Sequence, residues 1–274
     1  MAYVIVALLG LASGVVGAIV GLGGGIILVP LLLYFGIELG LVDGMTPQRI
    51  VGLSVIMMIF TGLSSTLAHM KSKTVDYSSG FLFFLGSVPG TLLGAYLNKF
   101  LNVKDFNLYF GILLIMLATI LLVRDKLKPI RWFVDNGHQK TFVDPDGERH
   151  VYGYPIWFAL LLTFTIGLAS GLFGIGGGSI LVPAMLILFL FPPHVAVATS
   201  MFMVFLSALV NSASHIYLGN VPWLYTIPVI PAAFIGAKLG STINQKMDSK
   251  TVVTALRIIL LLIGIRSIIE GMWG

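Results

Sequence analysis

Long apolar stretches, separated by short polar turns, run the length of the chain. They cover roughly 3–37, 48–70, 79–98, 105–124, 155–191, 194–216, 222–244 and 250–273. A hydrocarbon core about 30 Å thick takes about 20 apolar residues of helix, and six of the eight stretches have that order of length. The first and fifth are too long for one plain span. About 35 residues of helix would extend about 52 Å. Each of these two is interrupted by three adjacent glycines, residues that weaken a helix.

The interruptions are copies of each other. GLGGGIILVP starts at Gly21 and GIGGGSILVP at Gly174, with eight of ten positions identical. The repetition extends further. The stretch from Leu53 aligns with that from Thr199, which sets Ser54 on Ser200, Ser65 on Asn211 and His69 on His215. PGTLLGAYL from Pro89 aligns with PAAFIGAKL from Pro231. The pattern predicts an all-α polytopic membrane protein of two homologous helical repeats, 1–124 and 155–274. Each contains a glycine-broken helix or helical hairpin. Between them lies a polar linker, 125–154, whose DPDG centre suits a short hairpin.

In lipid, an unpaired backbone amide costs several kcal/mol, so a break must lie inside protein or face a wet cavity. The residues after each break, Ile26 and Ser179, would open a half-helix whose first N–H groups lack intrahelical acceptors and carry partial positive charge. Such an end binds anions without a basic side chain. Two interrupted segments in corresponding positions point to a transporter site. The competing reading is close helix packing through small residues.

Composition supports the membrane class. The chain is 57% hydrophobic and only 10% charged, and no residue between Arg149 and Lys238 carries a formal charge. The net charge of +5 therefore orients the protein rather than binding nucleic acid. Lys71, Lys73 and the linker's Arg124, Lys126, Lys128, Arg131, Lys140 and Arg149 mark the expected cytoplasmic face. If each glycine segment returns to its starting face, each repeat crosses an odd number of times and the halves are inverted. Lys246 and Lys250 then also fall inside. Cysteine is absent, which excludes thiol chemistry. No basic residue precedes the first apolar stretch, so it is expected to be retained as structure.

The doubled glycine motif, the runs HIYLGNVPW from His215 and HMKSKTVDY from His69, and the P-x4-G-A helices at Pro89 and Pro231 together resemble the TauE/SafE sulfite exporter (TSUP) family. The likeness covers nearly the whole chain except the linker. It implies transport of a small sulfur-containing anion across the cytoplasmic membrane: sulfite, thiosulfate or an organosulfonate such as sulfoacetate. The expected partners are that anion, membrane lipid and a coupling ion such as a proton. Oligomeric state is left open.

The candidate binding residues are Gly23, Gly24 and Gly25 of the first break and Gly176, Gly177, Gly178 and Ser179 of the second. Ser54, Ser200 and Asn211 would add hydrogen bonds, and could equally join helices. His69 and His215, matched near helix ends, would gate or relay protons, or cap those ends. Lys238 and Arg257 are cations within spans and could attract an anion, or snorkel and pair with headgroups. No acidic residue lies deep in a span, which fits an anionic better than a cationic substrate. No cofactor and no metal is expected, for no Walker A, dinucleotide fingerprint or metal-ligand spacing occurs. A passive anion channel on the same fold is the alternative. A membrane-embedded enzyme is a further one, its only polar cluster being His138, Asp144, Asp146, Glu148 and His150 of the linker.

Overall fold

The structure is a computed structural model of the 274-residue chain and describes residues 2–124, 131–143, 147–247 and 249–273. The apolar stretches are helices, with ends within a few residues of the predicted ones. The first is split into α1 (Ala2–Val20) and α2 (Gly25–Leu32), which runs on as a wider π turn over Leu33–Glu38. Then come α3 (Pro47–Lys71), α4 (Tyr77–Asn98) and α5 (Val103–Arg124). A one-turn helix, α6 (Trp132–Asp135), leads into strands β1 (His138–Val143) and β2 (Arg149–Tyr154). They pair antiparallel on either side of the DPDG sequence, from His138 against Tyr154 to Val143 against Arg149. The succession then recurs: α7 (Ile156–Phe173), α8 (Gly178–Ile187), α9 (Pro193–Tyr217), α10 (Trp223–Asn244) and α11 (Ser249–Trp273).

Six helices among the described residues are long and apolar enough to cross a membrane. Their outer faces carry Leu8, Phe81, Leu85, Trp157, Leu161, Leu224 and Ile227, all half exposed or more. Apolar surface on that scale is compatible with lipid and not with water. The protein is thus an all-α polytopic membrane protein.

α3 and α9 form the centre, antiparallel to each other: Gly52 meets Asn220 at one end, and Gly62 meets Phe205 near the middle. Around them the helices pair across the chain. α1 runs parallel to α10, with Gly10 against Val229 and Gly14 against Ala233; α4 runs parallel to α7, with Gly86 against Leu160 and Thr163 and Gly90 against Phe164. Gly14 and Gly90 admit a backbone where a side chain would clash. α5 packs on α11 at the flank, through Gly111 and Gly264.

These contacts adjust one sequence match. Gly90 and Gly94 of α4 lie on Phe164 and Leu168 of α7, as Gly236 and Gly240 of α10 lie on Leu11 and Val15 of α1. PGTLLGAYL and PAAFIGAKL therefore match one helical turn out of step, because the prolines, unlike the glycines, are not tied to a helix contact.

Two ends of the bundle can be told apart. At one, the last turns of α3 and α10 meet the hairpin and the start of α9: His69, His150, His194 and Gln245 line one cavity. At the other, the start of α3 meets the end of α4 through Gln48 Nε2, which donates to Asn98 O at 3.0 Å and Leu101 O at 2.7 Å. Tyr3 and Tyr225, at the starts of α1 and α10, also meet, with ring centres 5.6 Å apart.

Candidate functional site

Both glycine triplets interrupt their helices. Gly21, Gly23 and Gly24 have φ of 76°, 78° and 84°; Gly174, Gly176 and Gly177 have 66°, 72° and 71°. Only glycine adopts these angles without strain. The half-helices open one residue earlier than expected, at Gly25 and Gly178, with Gly24 and Gly177 as left-handed caps that bring no side-chain bond. Ile27 and Leu28 are the first amides to bond back, both to Gly24 O, at 3.1 and 3.0 Å; Ile180 and Leu181 do the same to Gly177 O, at 3.2 and 2.9 Å. The N–H groups of Gly25, Ile26, Gly178 and Ser179 are left without an acceptor inside their own helices. Pro30 and Pro183 lie at the sixth position of the half-helices, inside rather than at the start.

The two breaks are buried and face each other. A methyl group added at Gly25 would overlap the carbonyl oxygen of Gly174, and one at Gly178 would overlap that of Gly21. Between the breaks stand Met58 of α3 and Val204 of α9. The Met58 sulfur would lie 2.9 Å from a methyl on Gly25 and would clash with one on Gly176. A Val204 methyl would lie 2.7 Å from one on Gly23 and 3.1 Å from one on Gly178.

Ser54 and Ser200 are fully buried at the breaks. Their hydroxyls are engaged by backbone. Ser54 Oγ donates to Gly174 O at 2.6 Å. Ser200 Oγ lies 2.9 Å from Gly21 O and 2.8 Å from Val197 O of its own helix. Each serine thus reaches the break of the opposite half. Asn211 Nδ2 donates to Ser170 O, 3.2 Å away near the end of α7, so Asn211 supports the helix entering the second break.

His69 and His215 occupy opposite ends of the central pair. His69 is buried at the hairpin end, in the wall of a cavity of about 730 Å³ lined also by Lys73, His150 and His194. His215 Nδ1 lies 3.2 Å from the amide of Asn220 at the other end. Neither cation is among the nearest neighbours of the break glycines. Lys238 is exposed on α10, beside Lys71 in a cavity of about 480 Å³. Arg257 is half-buried on α11, whose main neighbour is α5. Of the linker's polar cluster, Asp144 and Asp146 lie outside the described residues, as do the expected cytoplasmic markers Lys126 and Lys128. His138 and His150 occupy opposite strands of the hairpin.

Several residues escaped the sequence reading. Thr61 Oγ1 donates to Gly23 O at 2.8 Å. Asn98 and Asn244, at matched places in α4 and α10, donate to Leu172 O and Ile19 O at 2.7 and 2.6 Å, closing the helix ends that precede the two breaks. Ser13, beside Gly24, has a buried hydroxyl with no partner, as does Ser179, which the sequence did single out. The same register that pairs Ser54 with Ser200 also pairs Asn98 with Asn244. Ser13 and Ser179 have no polar counterpart, since Ile166 and Ile26 stand in their places.

The linker holds a further polar centre. Asp76 caps α4 through Ser79 N at 3.1 Å, accepts both Lys140 Nζ contacts at 2.8 and 2.9 Å, and accepts from Tyr152 Oη at 3.1 Å. Tyr154 Oη donates to Ser79 Oγ at 2.6 Å. Burial raises the Asp76 pKa, but the bonds from Lys140 and Ser79 outweigh it and hold the carboxyl below its ordinary value. Burial, with the Asp76 charge nearby, pushes the Tyr154 hydroxyl up to about 12 and raises that of Tyr152 as well.

Comparison with known proteins accounts for nearly the whole chain. The profile of the family "Sulfite exporter TauE/SafE" matches residues 6–267. This chain belongs to that family. It is 48% identical to "Probable membrane transporter protein YunE" of Bacillus subtilis, over the full length of both chains. It is 27% identical to "Probable membrane transporter protein MJ0441" of Methanocaldococcus jannaschii, over 94% of this chain and 92% of the relative. "Sulfite exporter TauE/SafE family protein 6" of Arabidopsis thaliana is 31% identical over 65% of this chain and 38% of its own. No solved structure matches. The TauE/SafE profile spans both glycine breaks, α3, α9 and the linker hairpin, so every residue of the central arrangement lies within the matched region.

Proposed function

We propose that this member of the TauE/SafE family is a secondary transporter of a small sulfur-containing anion, with sulfite, thiosulfate and organosulfonates as candidate substrates. The site is the space between the two glycine breaks, in the cytoplasmic membrane. One observation carries the reading: two half-helix N-termini, buried and unpaired at their first amides, converge on Met58 and Val204. Opposed helix dipoles of that kind attract negative charge without a fixed cation. Attraction by dipoles alone suits turnover, because a substrate must leave as readily as it enters.

The two repeats, about 1–124 and 155–274, are read as inverted. The support is directional. α4 starts at the hairpin end and α7 runs parallel to it; α10 finishes at that end and α1 runs parallel to α10. α1 and α7 therefore start from opposite faces, and each break turns the chain back toward the face it entered from. Rocking one half against the other would expose the central site to each face in turn. His69 and His215 stand one at each end, where a gate or proton relay is needed. The filled space between the breaks favours a carrier over an open channel.

The chain has no cysteine, so a single one can be introduced as a reporter. Ser179→Cys in proteoliposomes should be alkylated by a small thiol reagent, and thiosulfate or a sulfonate should slow the labelling several-fold. Labelled thiosulfate or sulfoacetate uptake should accelerate when the same anion is loaded inside. Uptake without such acceleration marks a channel. Labelling of the introduced thiol that is unaffected by every transported anion removes the central site.

A further inference from the structure

The breaks differ from ordinary backbone in which hydrogen-bonding groups they leave free. Five of their carbonyl oxygens are occupied. Gly174 O takes the Ser54 hydroxyl, and its other flank lies against Gly25. Gly21 O shares the Ser200 hydroxyl with Val197 O and lies against Gly178. Gly23 O takes the Thr61 hydroxyl. Gly24 O and Gly177 O each take two amides of their own half-helices. The donors are in the opposite condition. Four amides have no acceptor within their helices, and the hydroxyls of Ser13 and Ser179, fully buried, have no partner. Ser179 is the second residue of α8, so its hydroxyl lies in the same first turn as two of those amides.

From this imbalance we infer that the central site is donor-rich and selects anions that carry no acidic proton: sulfonates, thiosulfate and other fully ionised oxyanions, over hydrogen phosphate, bicarbonate or bisulfite. The inference rests on the breaks being the anion site. A fully ionised oxyanion offers only acceptors and matches the free amides and hydroxyls. A protonated anion brings a donor of its own, and these five carbonyls are already taken. A buried donor left unmatched lowers affinity by about 10- to 100-fold. Ser54, Ser200 and Thr61 then act as positioning residues. They do not hold the substrate; they withdraw the acceptors that would admit the wrong one. Ser13 and Ser179 are the hydroxyls that touch it. They come from different elements in the two halves, which makes the contact asymmetric.

Calorimetric titration of the purified full-length protein in detergent tests this, with thiosulfate, methanesulfonate, phosphate and bicarbonate as probes at one pH and ionic strength. Thiosulfate and methanesulfonate should bind at least about tenfold more tightly than phosphate and bicarbonate. Ser54→Ala and Ser200→Ala each free a carbonyl and should narrow that ratio about threefold or more, mainly by improving phosphate. The two address the same point from opposite breaks, so a folding defect in one leaves the other. Ser179→Ala should weaken all probes alike and keep the ratio. Phosphate bound as tightly as thiosulfate at a site where the two compete overturns the inference and leaves the central site standing. An unchanged ratio in both Ser54→Ala and Ser200→Ala overturns it as well. Thiosulfate binding untouched by Gly177→Ala removes the central site itself, and this inference with it.

Discussion

The two arms that carry the glycine breaks are alike where they meet and unlike where they are anchored. At the centre, each has three left-handed glycines, a serine reaching across from the opposite half, and an asparagine closing the preceding helix. At their outer ends the likeness stops. The second arm leaves α8 through Phe189, whose carbonyl accepts from Gly153 N of the hairpin at 3.0 Å. The rings of Phe83, Tyr154 and Phe189 cluster there, with Tyr154 5.0 Å from Phe83 and 5.1 Å from Phe189. The half-buried Asp76–Lys140 pair at 2.8 Å pins the hairpin to α4. The first arm ends in the π turn and is held by Arg266 of α11, 3.7 Å from Glu38 and stacked 3.9 Å above the Tyr34 ring. Glu38 and Arg266 are both more than a third exposed. A water-screened pair of that kind contributes about 0–1 kcal/mol. The meeting point is thus fixed by backbone, which tolerates no variation, whereas the anchors are side-chain devices that differ in strength. The second arm is clamped and the first is loosely tethered.

The largest effect belongs to the shared part. Gly25→Leu and Gly178→Leu each drive a side chain into a carbonyl of the opposite break. Each should abolish transport and lower the detergent melting temperature more than any anchor variant does. A normal melting temperature with either would show that the breaks do not touch.

Next comes the clamp. Asp76→Asn leaves Lys140 without its half-buried counter-charge, a loss of about 1–3 kcal/mol. It should speed amide exchange in the hairpin and in Leu186–Phe191 while leaving Leu33–Glu38 unchanged. The pH dependence has a definite sign. A carboxyl held below its ordinary value contributes stability that is present above about pH 4 and lost as pH falls through its folded value. Wild-type and Asp76→Asn melting temperatures should therefore converge in acid. The raised tyrosines act at the other extreme: stability should fall as pH rises above about 10, where the unfolded phenols ionise first. A stability gap that persists unchanged at low pH would assign the clamp to packing rather than to the ion pair.

The smallest effect belongs to the tether. Arg266→Gln should cost at most about 1 kcal/mol, with faster exchange confined to Leu33–Glu38. In the wild type, that segment should already exchange faster than Leu186–Phe191. Equal rates in the two would mean that the arms are equally held.

Much of this was legible in the sequence because it rests on local order. Stretch lengths gave the helices, and doubled glycines gave the two breaks, since a triplet of that kind cannot sustain a lipid-length helix. The role of each hydroxyl was not legible. Ser54 reads as a free donor until the fold shows that Gly174, 120 residues away, takes its hydrogen. Ser179 stands out by its place in the second break, whereas nothing in the sequence marks Ser13, whose hydroxyl likewise has no taker. Asp76 and Lys140 lie 64 residues apart, and no periodicity links them. Pairing across the chain decides each of these cases, and a one-dimensional pattern holds no information about it.

That cross-chain pairing also governs how the protein is made. The hydrogen bond from Asn244 to Ile19 joins residues 225 apart, and α1 lies along α10 for nearly its whole length. α1 is synthesised about 200 residues before α10, its principal neighbour. It must wait in the bilayer, glycine face exposed, until α10 has been made. Contacts of such sequence separation form slowly, so a truncation that removes α10 strands the N-terminal helix as well as shortening the chain.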